Sequence, residues 1–120
     1  MEYETVVAQI LNVEGALAAG IVDYESGMLL AGSSTHSIDL DIAAISSTEV
    51  VRSQIKIMKM LQLNDQIEDI LITLNSRYHL IRPLKTLDGL FLYSVLDKHK
   101  ASLALSRRAL IDVEKSMTRK

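Results

Sequence analysis

The chain predicts an α+β fold, a five-stranded antiparallel sheet held between one long helix and two terminal helices. The element order is α-β-β-α-β-β-β-α, a profilin-like architecture. Three observations carry this. Residues 39–63 run without Gly or Pro and repeat apolar residues with a helical period. Five short apolar segments, two before this helix and three after it, are separated by short turn-forming stretches. The last of the five, Leu90 to Leu96, is apolar at both parities (Leu90, Leu92, Leu96 and Phe91, Tyr93, Val95). A strand of that kind is buried on both faces, so it is expected at the centre of the sheet with helices on either side.

The first element is a short amphipathic helix, because Tyr3, Val6, Val7, Ile10 and Leu11 fall on one face. Glu2 and Glu4 stand in its first turn, where the helix dipole favours anions, and Gly15 is placed to end it soon after Val13. Ala16 to Val22 and Met28 to Ala31 read as strands joined by the turn Asp23-Tyr24-Glu25-Ser26-Gly27, a hairpin. Gly32 to Ser37 reads as a loop into the long helix, with Ser37 or Asp39 able to cap it. After the turn formers Asn64-Asp65 come Asp69 to Leu74, Tyr78 to Arg82 (stopped by Pro83) and Leu90 to Leu96 (preceded by the hairpin signal Asp88-Gly89). Lys98 to Thr118 is the last helix. It has one narrow apolar line through Leu103, Ser106, Leu110, Val113 and Met117, and Arg107, Arg108, Asp112, Glu114 and Lys115 are expected to point away.

The long helix, roughly 37 Å at 1.5 Å per residue, is the anomaly. On a helical wheel Leu40, Ala44, Val51, Ile55 and Met58 coincide. Ala43, Val50, Ile57 and Leu61 form a second line, and Ile42 and Met60 a third. Asp41, Glu49, Arg52, Lys56 and Lys59 crowd into the remaining third. The apolar zone spans roughly 200°, against the 100° or so that a surface helix needs. One sheet face cannot cover that, and a second copy of the chain is the expected cover.

Composition narrows the function classes. The 120 residues suit one domain, 1–120, with a single core; 48% are hydrophobic and the formal net charge is -2. A nucleic-acid binder would show a basic excess. The absence of cysteine removes disulfides, thiolate nucleophiles and thiolate metal ligands. No apolar run approaches the 18 or so residues of a spanning helix, and the acidic start Met1-Glu2-Tyr3-Glu4 is unlike a signal peptide. A cytoplasmic protein with no membrane insertion is expected.

No catalytic constellation emerges. Ser53-Gln54-Ile55-Lys56 matches S-x-x-K but lacks its companion motifs, so Ser53 reads as a small packing residue. His36, His79 and His99 share no ligand spacing and no acidic cluster neighbours them, so no metal or other cofactor is expected. The Asp23–Gly27 segment lacks the calcium loop, and no glycine-rich phosphate loop is present. Arg107-Arg108 with Lys98 and Lys100 reads as solvated surface, with a docking patch as the alternative.

Two stretches resemble the Roadblock/LC7 family. One is Gly15-Ala16-Leu17-Ala18-Ala19-Gly20-Ile21-Val22-Asp23 followed by Ser26-Gly27-Met28-Leu29-Leu30-Ala31. The other is Leu90 to Asp97 running into Leu103-Ala104-Leu105-Ser106-Arg107-Arg108-Ala109-Leu110. The resemblance, which spans nearly the whole chain, implies a sheet ordered 2-1-5-4-3 with the segment 69–75 on an edge. It also implies a homodimer in which that edge pairs with its copy and the long helices pack together. Val50, Ile57, Met60, Leu61, Ile70, Ile72 and Leu74 are then the expected interface. The family's stand-alone prokaryotic-type members imply a non-catalytic adaptor for a small Ras-like GTPase, acting as scaffold or activator. The exposed stripe Glu49, Arg52, Lys56 and Lys59 is the expected partner-binding face. The alternatives are a small-molecule sensor module of PAS-like architecture, drawing on Tyr78, Tyr93 and Ser94, and a dynein light-chain-type adaptor.

Overall fold

Eight elements alternate along the chain as the hydrophobic pattern predicts: α1 (Tyr3–Leu11), β1 (Ala16–Asp23), β2 (Leu29–Ser34), α2 (Leu40–Met60), β3 (Ile70–Thr73), β4 (Arg77–Pro83), β5 (Leu90–Asp97) and α3 (Leu103–Thr118). The computed structural model describes residues 2–85, 87 and 89–118. The strands form one antiparallel sheet in the order β2-β1-β5-β4-β3. β5 is central, and its six residues Phe91 to Leu96 are all buried.

Two apolar layers flank the sheet. On one face Val6, Val7 and Ile10 of α1 and Leu110, Val113 and Met117 of α3 pack on Ala19, Ile21, Leu80 and Leu92. On the other, Ala44 and Val51 of α2 pack on Ala18, Val22, Ile81, Phe91 and Tyr93. Each fully buried large aliphatic or aromatic side chain contributes about 1.5–3 kcal/mol. β1 supplies Ala18, Ala19 and Gly20 at its middle, and these small residues let helices approach both faces of the sheet.

Local chemistry sets the ends of the elements. Asp39 caps α2 by accepting from the Ile42 N–H at 3.1 Å. The helix stops at Met60, short of Leu63, because Gln62 takes a left-handed conformation (φ 56°). Gln62 N–H then bonds Lys59 O, and Leu63 N–H bonds Met58 O, the paired bonds of a Schellman stop. The β1–β2 turn closes as expected: Asp23 carboxylate oxygens accept from Glu25 N–H and Ser26 O–H, and Gly27 has φ 75°. β2 runs on to Ser34, through much of the expected loop, and a bulge interrupts its pairing opposite Ile21 and Val22. The expected Asp88-Gly89 signal falls partly outside the described residues at Asp88; Gly89 has φ 89°.

Gly15 also has positive φ (87°), and a Cβ there would lie 2.6 Å from the backbone nitrogen of Ala101. Two stretches of main chain therefore cross where no side chain fits. Gly15→Ala is expected to cost at least about 2 kcal/mol, read as a lowered denaturation midpoint in urea.

The last helix departs most from expectation. It begins at Leu103, because Asp97 organises residues 98–101 as a turn and Ser102 Oγ then accepts from Leu105 N–H. Two of its charged residues do not point away. Glu114 is buried: its carboxylate accepts from Arg82 Nε at 2.9 Å and from Lys85 N–H at 2.8 Å. Arg82, itself buried, donates to Glu68 O, and Lys85 Nζ reaches the Glu68 carboxylate at 2.6 Å. That last bond, with the Lys85 charge, holds the Glu68 carboxyl below its ordinary pKa. Arg107 grips Asp69 with two bonds of 2.9 and 3.2 Å. Together these contacts fasten the segment that enters β3 onto α3 and β4.

Candidate partner-binding surface

α2 lies over β2 and β1 and leaves part of the β4–β3 side of its sheet face open around Arg77, His79 and Ile72. Between helix and bare strands runs a groove of about 390 Å³. Ile38, Ile42, Ala43 and Val50 wall it from the helix side, and Ile72, Arg77, His79 and Tyr93 form its floor. The surplus apolar side of the helix faces out beside it: Ile42 is 63% exposed, Ile57 45%, Met60 72% and Leu61 64%. Val50 is half-buried, as are Ile70 and Ile72 on β3, while Leu74 just beyond the strand is exposed. Among the described residues β3 pairs only with β4, so its outer edge is bare, and Ile70–Thr73 carries neither charge nor proline to protect it.

The charged stripe is less uniform than its sequence suggests. Arg52 donates to Glu49 at 3.0 Å and to the carbonyls of Tyr24 (3.2 Å) and Glu25, with its guanidinium 5.7 Å from the Tyr24 ring. It fastens α2 to the β1–β2 turn. Lys56 and Lys59 are exposed cations on the same side of the helix. Ile45, 60% exposed, also stands on this side; it was missed because it sits among charged wheel positions.

A polar chain crosses the groove floor. The Tyr93 hydroxyl lies 3.1 Å from His79 Nδ1, and the two rings meet edge to face at 5.8 Å. Ser47, buried on α2, lines the groove beside them. Burial, reinforced by the Arg77 charge, holds the His79 pKa below its ordinary value, and burial raises that of Tyr93. The polar groups expected of a sensor pocket do not converge. Ser94 lies on the opposite sheet parity from Tyr93, with its buried hydroxyl unpartnered among the described residues, and Tyr78 lies under Lys98. Arg107 and Arg108 are each paired to an acid, Asp69 and Asp112. Among the described residues no cluster of three or more His, Asp or Glu could hold a metal ion, and no helix is long and apolar enough to cross a membrane.

No protein-family model matches the sequence, and no curated protein matches it. Solved structures do. A Roadblock/LC7 domain from Streptomyces avermitilis superposes with a TM-score of 0.83, covering 98% of this chain and 95% of that one at 10% identity. Myxococcus xanthus MglB gives 0.84 over 97% and 84% at 15% identity. The Thermus thermophilus gliding protein MglB gives 0.78 over 96% and 84% at 17% identity. Sheet order, helix placement and near-complete coverage agree, and the chain has the Roadblock/LC7 fold.

Proposed function

We propose that the protein is a homodimeric, non-catalytic adaptor that binds a small Ras-like GTPase. The observation that carries the assembly is the pairing of an unfilled apolar groove with an exposed apolar flank on the same helix. A two-fold contact puts each copy's flank over the other's groove, and it brings the two bare β3 edges together. Ala43, Val50 and Ile57 recur every seven residues along the flank. Antiparallel helices centred on this row place Val50 against its own copy, with Ile57, Met60 and Leu61 reaching outward and Ile70, Ile72 and Leu74 at the strand contact.

The chain has no cysteine, so Val50→Cys introduces a unique thiol. Under mild oxidation it is expected to form a disulfide-linked dimer on a non-reducing gel. Ala8→Cys, on the far face, is expected to stay monomeric under the same treatment. Failure of Val50→Cys to cross-link overturns the helix pairing.

The GTPase assignment is supported by the sequence resemblance to Roadblock/LC7 proteins and by the likeness in fold. Regulators of that family dock their GTPases across the paired long helices. On this chain that surface would present Lys56 and Lys59 beside the Glu49–Arg52 pair. Such a protein acts by positioning rather than by supplying catalytic groups. The test is an affinity pull-down from native extract with and without a non-hydrolysable GTP analogue. A small GTPase whose capture depends on nucleotide supports the assignment, and an eluate without one removes it while leaving the dimer standing.

A further inference from the structure

His79 occupies the middle of the groove floor, directly opposite Ile72 on β3 and Val95 on β5. It is therefore an ionisable ring within an apolar cross-strand row. The Tyr93 hydroxyl lies 3.1 Å from Nδ1, which can accept from it only while the imidazole is neutral. Once protonated, Nδ1 can only donate, and the Tyr93 hydroxyl must then accept.

The charged surroundings do not welcome a second cation. Arg77 stands two residues away on the same face of β4. Asp97 of β5 is Arg77's cross-strand neighbour, and its carboxylate accepts from His99 N–H. Asp39 of α2 lines the groove, but its carboxylate is engaged as the helix cap. β3 presents only Ile70 and Ile72 on this face, and Tyr93 is neutral.

We propose that His79 makes the homodimer acid-sensitive: protonation of its ring, in the groove that the second copy covers, weakens association. The proposal rests on the dimer described above. Closing the groove removes water from the ring, and a charged imidazole loses more by that than a neutral one. The dimer then binds fewer protons than two monomers do. Acid favours monomers as pH falls below the ordinary histidine range, while above that range association is indifferent to pH.

The test is sedimentation velocity on wild type and His79→Gln between about pH 8 and about pH 5.5 at constant ionic strength. The wild-type dimer dissociation constant is expected to rise about tenfold or more, and that of His79→Gln to stay flat whatever its starting value. A flat wild-type profile, or an equal response in the variant, overturns the switch and leaves the dimer intact. A wild-type monomer at about pH 8 overturns the dimer and the switch together. NMR titration of the wild-type imidazoles gives a second reading that needs no variant. The His79 midpoint is expected to fall as protein concentration rises; a concentration-independent midpoint for His79 overturns the proposal.

Discussion

Ile72→Lys and Ile57→Asp are each expected to turn the dimer into a folded monomer. Ile72 lies on the groove floor and Ile57 on the exposed flank of α2, so the two variants attack opposite sides of the same contact. In the isolated chain neither position lies in the deep core, and each new charge keeps access to water. In the dimer each is drawn from water into a largely apolar contact. A charge desolvated there costs about 2 kcal/mol or more, and two-fold symmetry applies the cost twice. A total of about 4 kcal/mol weakens association about a thousandfold. Light scattering is expected to give the monomer mass for both variants, with an unchanged far-ultraviolet circular dichroism spectrum. Two variants that remain dimeric would place the interface elsewhere.

Glu114→Ala is expected to destabilise the fold itself, by about 3–5 kcal/mol. The substitution leaves the buried Arg82 guanidinium with only the longer 3.8 Å contact to the exposed Glu68 carboxylate and orphans the Lys85 N–H. A loss of that size lowers the melting temperature by 10 °C or more in a domain of this length, at about 4 °C or so per kcal/mol. Removing both charges is expected to be milder, because the penalty comes from the uncompensated charge rather than from a missing attraction. Glu114→Leu combined with Arg82→Met should therefore recover most of the loss in a denaturant titration. If the double variant is as unstable as Glu114→Ala, the network stabilises by its hydrogen bonds to the 64–69 segment.

The contrast between these residues shows what was legible in the sequence. The five strands and three helices follow from apolar periodicity and turn residues, and these are local signals. The central place of β5 follows from its two apolar parities. The surplus width of α2 was visible on a wheel because it is a property of one helix. Glu114 was not, since its wheel position is polar and only the fold brings Arg82 to it across 32 residues of chain. The same holds for Arg107 with Asp69, and for Arg52 with the β1–β2 turn. His79 read as an isolated histidine because its partner Tyr93 lies on another strand. Side chains that settle their charge or hydrogen bonds through distant contacts leave little local pattern. A signal was present for Ser47, a small polar residue on the inner face of a helix next to a sheet that offers a tyrosine.

The bulge in β2 makes the two rims of the sheet unequal. β3 is regular and uncharged, open to strand addition along its whole length. At the other rim the pairing of β1 and β2 shifts register between Ile21 and Val22, which twists that border away from a straight template. A subunit with two equivalent sticky rims would add copies without limit and grow into a fibre. With one rim straight and the other bulged, the proposed two-fold pairing of β3 uses the sheet's one regular template. The irregularity at Leu30 thus works against a second, open-ended contact at that rim.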